Sequence, residues 1–194
     1  METLKLLEFC GHLGALKHLP RTGWVRHGVD PCETVASHMY RMGVLAMCAP
    51  GQLDDGQQLN VDKCVRMALV HDMAEAIVGD ITPHCGVEDA DKHERESRAF
   101  NTLKSLLPAS IGDQMRSLWD EYESHQSIES IFVHDLDKFD MLAQAFEYEK
   151  RANRPRMLEE FFKSSRHVFR TSLVKGWMVE LEKEREKHGL DEAK

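Results

Sequence analysis

An all-α fold is predicted by three features of the amino-acid sequence. Apolar residues recur at helical spacing in one segment after another, and no stretch alternates in the period-two manner of a half-buried strand. The breaks between segments are short and carry proline or glycine. A compact, non-coiled-coil helical bundle accommodates this pattern, and 194 residues suffice for one domain with a real core.

A first amphipathic helix covers about residues 2–18 and stops at Pro20, and residues 20–30, rich in glycine and arginine, read as a loop. Asp30 is the expected N-cap of the next helix. Pro31 stands at its first position and Glu33 three residues beyond the cap, as in a capping box. That helix runs to about Met47 and ends at Pro50-Gly51. Asn60 caps a helix over about 61–77, which Gly79 terminates. Further helices are predicted at about 90–106 (ended by Pro108), 111–124, 127–151, 157–167 and 171–188. The segment 127–151 sets Ile128, Ile131, Phe132, Leu136, Phe139, Leu142, Ala143 and Phe146 at helical spacing, so it is the central, largely buried helix.

Composition narrows the function. A formal charge of −8 and scattered basic residues disfavour a nucleic-acid partner, which asks for a basic stripe. Lys92, Arg95, Arg98 and Lys104 alternate with acids at helical spacing, the pattern of a solvated helix face. No segment reads as a signal peptide or membrane span. Five cysteines, odd in number and without a Cys-x-x-Cys pair, fit reduced thiols and place the protein in the cytosol, with the nucleus also open to it.

Within this frame the stretch His71-Asp72-Met73-Ala74-Glu75-Ala76-Ile77-Val78-Gly79-Asp80 stands out. It sets one imidazole and three carboxylates in an apolar helical pattern. Ionised groups at a core edge are paired or bind metal, and imidazole with carboxylate suits divalent ions such as zinc, manganese or cobalt. The dipeptide alone proves little: chance supplies about 0.8 His-Asp pairs in a chain of this composition, and His134-Asp135 is a second one. Two other predicted helices carry a polar residue in apolar sequence, His38 and Asp137. Each has a bland reading, since a lone histidine is more often a satisfied core residue and Asp137 could pair with Arg41 or Arg66. Together they supply two imidazoles and two carboxylates, enough for an ion with positions left for water and substrate. No Gly-rich phosphate loop and no Gly-x-Ser-x-Gly elbow is present.

The order His38, His71-Asp72, Asp137 resembles the HD-domain metal-dependent phosphohydrolase superfamily, and within it the 5'-deoxynucleotidases. The likeness covers about residues 15–165, with helices 157–188 expected to pack on that core. Its strings are Arg21-Thr22-Gly23-Trp24, Ser37-His38-Met39-Tyr40-Arg41-Met42, the segment 70–83, and Leu136-Asp137 followed by Glu147-Tyr148-Glu149. The resemblance implies a helical fold, a divalent cation (Mn²⁺, Co²⁺, Mg²⁺ or Zn²⁺) and hydrolysis of nucleoside 5'-monophosphates with a preference for the deoxy sugar. It also implies His38, His71, Asp72 and Asp137 as ligands of the principal ion, Glu75 as the catalytic glutamate, and a homodimer. Asp80 matches an acid near the sugar; in some relatives Glu75 and Asp80 instead hold a second ion. Arg21 and Trp24 match a phosphate-contacting arginine and a sugar-screening tryptophan.

Read without the family, Glu75 is either a general base or a partner of a ligating histidine, one helical turn after His71. Trp24 then anchors a loop and Arg21 caps a helix C-terminus. Two departures accompany the resemblance: Thr22 and Gly23 separate Arg21 from Trp24, and Ser37 replaces the acid that usually precedes the first histidine. Rival readings are a hydrolase of cyclic nucleotides, dNTPs or guanosine tetraphosphate, a di-iron oxygenase on the same ligand set, and a non-catalytic interaction module.

Overall fold

The computed structural model describes residues 3–53 and 56–191. Among them the chain forms helices α1 (Thr3–Leu16), α2 (Thr22–Arg26), α3 (Val35–Met47), α4 (Val61–Ala68) and α5 (Glu75–Val78). A 3₁₀ turn at Pro83–Cys85 leads into α6 (Asp89–Ser105), α7 (Ala109–Ser124), α8 (Ile128–Ala152), α9 (Glu159–Ser165) and α10 (Ser172–Asp191). Extended pairing among the described residues is limited to isolated bridges, Pro20 with Thr34 and Gln52 with Gln58. The fold is all-α, and none of these helices is long and apolar enough to cross a membrane.

The central helix is α8, against which α3, α4, α7, α9 and α10 pack. Ser127 caps it by accepting the Ser130 N–H, and Asn153 closes it in the left-handed region at φ 49°. Its inward face buries Phe132, Val133, Leu136, Leu142 and Ala145 completely, against Met42 of α3 and Met67 of α4 in one continuous core. Each of the larger side chains among them contributes about 1.5–3 kcal/mol by leaving water. Helices α6 and α7 approach closely at Gly112, where a Cβ would lie 2.9 Å from the Lys104 carbonyl oxygen, so only glycine fits. The C-terminal helix docks through Arg185, whose guanidinium gives Nε–H to Glu149 at 2.7 Å and reaches Glu159 at 2.9 Å.

Two boundaries differ from the sequence expectation. Helix α3 begins at Val35, not after Asp30, and Thr34 is its cap, accepting the Ser37 N–H. Backbone pairing decides this: Arg21 donates to the Glu33 carbonyl at 3.1 Å and Val35 to the Leu19 carbonyl at 2.9 Å, holding 31–34 extended. The helix expected over about 61–77 stops at Ala68 and resumes at Glu75. Asn60 does cap its start, accepting the Lys63 N–H. Between the two pieces the α bonds end with His71 to Met67, and tight i→i−3 bonds (Val70 to Met67, Met73 to Val70, Glu75 to Asp72) carry the turn.

The second His-Asp pair is structural. Asp135 accepts the Arg170 N–H at 3.0 Å and the Thr171 N–H and hydroxyl at 2.7 and 2.6 Å, tying the start of α10 to α8. His134 donates to the Tyr122 carbonyl at 2.9 Å and stacks on the Tyr122 and His125 rings. Replacing Asp135 by alanine strands these buried donors. The expected loss is about 2–4 kcal/mol in chemical denaturation, with activity per folded molecule unchanged.

Candidate metal centre

The centre lies where α3, the 69–74 turn, α5 and α8 meet. Helix α3 supplies His38, fully buried, and α8 supplies Asp137. The turn supplies His71 and Asp72, and its break from α4 aims both inward. Ligand-capable atoms of His38, His71 and Asp137 all lie within 4.8 Å of one another. Asp72 Oδ2 joins them, 3.1 Å from His71 Nε2 and 3.8 Å from His38 Nε2, while Asp137 Oδ1 is 3.2 Å from His38 Nε2.

The tautomers of both imidazoles follow from their partners. His71 Nδ1 is 2.9 Å from the Ala68 carbonyl, which can only accept, so Nδ1 carries the hydrogen. His38 Nδ1 donates to Asp140 Oδ2 at 2.7 Å. Both Nε2 atoms therefore face the centre, buried and without a hydrogen-bond partner. A buried polar atom left this way is costly. Two Nε2 lone pairs beside two carboxylates are the donor set of a borderline divalent ion, and each imidazole is oriented through its far nitrogen as metal-binding histidines are. The residues present fit a divalent cation.

Electrostatics agree. Burial works against the Asp72 and Asp137 charges. His71, Arg21 and His38 offset it around Asp72, and Lys138, His38 and Arg21 around Asp137, so both stay ionised well below the usual carboxylate range. Burial and Arg21 oppose a charged His38, yet the adjacent Asp137 and Asp140 carboxylates carry it up to about 9. A ligating imidazole must be neutral, so below that value a proton competes with the ion. Divalent-cation affinity should therefore rise with pH, about tenfold per unit, and level off near 9. Calorimetric titrations across pH 6–9 check this, and a flat profile contradicts it.

Around the ligands sit the other residues singled out in the sequence. Glu75 opens α5, is buried, and has Oε2 without a partner. Burial first, then the neighbouring Asp72 and Asp80 charges, pushes its carboxyl well above the usual range. Arg21 lies over the carboxylates, Nη1 3.2 Å from Asp72 Oδ2 and Nη2 3.8 Å from Asp137 Oδ1. Asp80 is engaged with the Arg21 turn: Oδ2 accepts the Thr22 N–H at 2.6 Å, and its carbonyl accepts the Thr22 hydroxyl at 2.8 Å. Trp24 is only 1% exposed, donates Nε1–H to Glu33 at 2.9 Å, and packs on Tyr148 and Phe161. Almost none of its indole surface is open, and its contacts tie the Arg21 turn to Glu33, Tyr148 and Phe161.

Sequence reasoning missed the support layer. Asp140, one turn after Asp137, takes the His38 Nδ1 hydrogen and is itself gripped by the Arg41 guanidinium. Arg41 thus serves Asp140 and Glu147, not Asp137. Glu33, His38 and Asp140 also cluster, but there Nδ1 already gives its hydrogen to Asp140 and Glu33 accepts from Trp24, so that cluster is a hydrogen-bond network. The available signal was the i,i+3 repeat of Asp137 with Asp140 and of His38 with Arg41.

An all-helical bundle in which His, His-Asp and Asp from separate segments converge on one site that fits a divalent cation defines the class. The chain belongs to the HD domain family, whose model matches residues 13–177. It is 44% identical over 180 residues to the Bos taurus protein named 5'-deoxynucleotidase HDDC2, covering 93% of this chain and 85% of that one. It is 41% identical over 189 residues to 5'-deoxynucleotidase hdd1 of Schizosaccharomyces pombe, covering 95% and 92%. Among solved structures it is similar to the PH0347 protein from Pyrococcus horikoshii OT3, with a TM-score of 0.73 and 31% identity, covering 91% and 96%.

Proposed function

We propose that this protein is a divalent-metal-dependent 5'-deoxynucleotidase, hydrolysing deoxynucleoside 5'-monophosphates to deoxynucleoside and inorganic phosphate. The observation that carries the reading is the pair of buried, unpartnered Nε2 atoms converging on Asp72 and Asp137. Relatives named 5'-deoxynucleotidase, matching this chain over most of their length, support the substrate class. His38, His71, Asp72 and Asp137 hold the ion, which is Mn²⁺, Co²⁺, Mg²⁺ or Zn²⁺.

When bound, such an ion supplies Lewis-acid polarisation of a phosphoryl oxygen and a water of lowered pKa. The chain's own groups do the rest. Glu75, its carboxyl tuned upward, orients the attacking water and takes its proton. The water oxygen bonds to phosphorus as the bond to the 5' oxygen breaks, and that oxygen leaves with the proton that Glu75 took from the water. Arg21 faces the phosphoryl oxygens and offsets their charge. Asp80 fixes the turn that carries Arg21. Trp24 acts on the sugar side only indirectly, by holding that turn against Glu33. In the two-ion form of the reading, Glu75 and Asp80 hold the second ion, and two metals per chain by elemental analysis would mark it.

One domain spans the chain in this reading, with α9 and α10 docked on the core. Residence in the cytosol or nucleus fits five free thiols. A homodimer fits the exposed apolar stripe of Tyr40, Val44 and Met47 along α3; sedimentation at monomer mass contradicts it. Chromatographic product analysis separates the enzymatic rivals. Deoxynucleoside and phosphate should appear from dNMPs, with NMPs slower and with dNTPs and cyclic nucleotides unspent. Oxygen consumption instead would mark the oxygenase.

A further inference from the structure

Helix α6 carries several cations, and one differs from its neighbours. Arg95 pairs with Asp91, Arg98 with Glu94, and Lys104 with Asp113, all between solvent-exposed or half-exposed groups. Lys92 instead lies 3.6 Å from Oε1 of Glu96, a buried carboxylate one turn on. Helix α6 packs on α5, whose first residue is Glu75. Glu96, Asp72, Glu75 and Glu123 are the charges that act on the Lys92 ammonium, and together they outweigh its burial and keep it protonated. Its side chain is 38% exposed, so the cation, on the helix that packs against α5, has surface left for a ligand.

The inventory of charge gives that position a use. A phosphate monoester brings about −1.5 to −2 charge and three acceptor oxygens. It must enter beside Asp72, Asp137, Glu75 and Asp80, all of the same sign. Arg21 lies against two of those carboxylates. An ammonium has three donors in no fixed plane, and Glu96 at 3.6 Å uses at most one of them.

We propose that Lys92 is a second phosphate-binding cation of this site, contributed by α6, and that Glu96 is the positioning residue that holds it there. This rests on the phosphate-ester reading above and adds a binding residue to it. Lys92 acts on affinity for the phosphate group and leaves contacts to the nucleoside untouched.

The test separates the two claims. Inorganic phosphate is titrated calorimetrically into manganese-loaded wild type, Lys92→Ala and Lys92→Arg, without any turnover. Lys92→Ala should bind phosphate at least tenfold more weakly and Lys92→Arg should recover part of that. In turnover, Lys92→Ala should raise KM for a dNMP in parallel, while inhibition by the free deoxynucleoside stays constant. Glu96→Gln should weaken phosphate binding in the wild-type background and have no effect once Lys92 is alanine. Unchanged phosphate affinity in Lys92→Ala, or no phosphate binding by the wild type, overturns the proposal. So does an equal loss of deoxynucleoside binding, which would mean a distorted site. Wild type that binds phosphate through Lys92 yet cleaves no dNMP would instead overturn the nucleotidase reading alone.

Discussion

Asp137→Ala should lose bound metal and turnover together while the helical fold persists. Asp137 Oδ1 sits 3.2 Å from His38 Nε2, and its ligand atom clusters with those of both histidines. Without it the donor set falls from two nitrogens and two carboxylates to three groups. Even residues that merely support a ligand cost about 10–100-fold in metal affinity, so losing a ligand should cost more. Arg21 then keeps only its Asp72 contact, leaving a less balanced positive charge beside any incoming ion. Activity should drop at least about a thousandfold at metal concentrations that saturate the wild type. Elemental analysis after gel filtration checks the metal, and circular dichroism the fold. Full occupancy in the variant removes Asp137 from the ligand set.

Glu75→Gln should keep the metal and lose turnover. Glutamine preserves the volume of a buried side chain and so avoids a cavity, yet it cannot accept a proton. General acid–base groups contribute about 10²–10⁴-fold, and a fall in kcat of that size with KM little changed is expected. Burial and the neighbouring Asp72 and Asp80 charges raise the Glu75 carboxyl, which makes it a stronger base than an ordinary glutamate. Near-normal kcat in this variant takes Glu75 out of the proton-transfer step.

The converging cluster is legible in the sequence because each member interrupts an apolar helical stretch, a local signal that survives in one sequence. His38, His71 and Asp137 do converge, and Asp72 stands beside them. The placement of Glu75 was reached by a geometry that does not hold. An unbroken helix would set it one turn from His71, but the chain leaves the α ladder at Ala68 and Glu75 starts a new helix. The Asp30-Pro31 cap was likewise overruled, since its strong local chemistry lost to long-range pairing of 31–35 with 19–21. Asp140, Arg41 and Glu33 were hidden for a related reason. Their roles depend on which helix faces which across α3 and α8, and a polar residue on a half-exposed face gives no local sign of that. Lys92 illustrates the limit most clearly. On sequence it is one more charge on a solvated helix, and only packing of α6 on α5 separates it from Arg95.

In the proposed mechanism no phosphate ester is cleaved without an ion held by His38, His71, Asp72 and Asp137. The most direct test is phosphate release from dNMPs by EDTA-stripped protein, with Mn²⁺, Co²⁺, Mg²⁺ and Zn²⁺ restored one at a time. The stripped protein should release none, and at least one ion should restore release, faster on dNMPs than on NMPs. Release that persists without metal, or none with any of these ions, contradicts the mechanism.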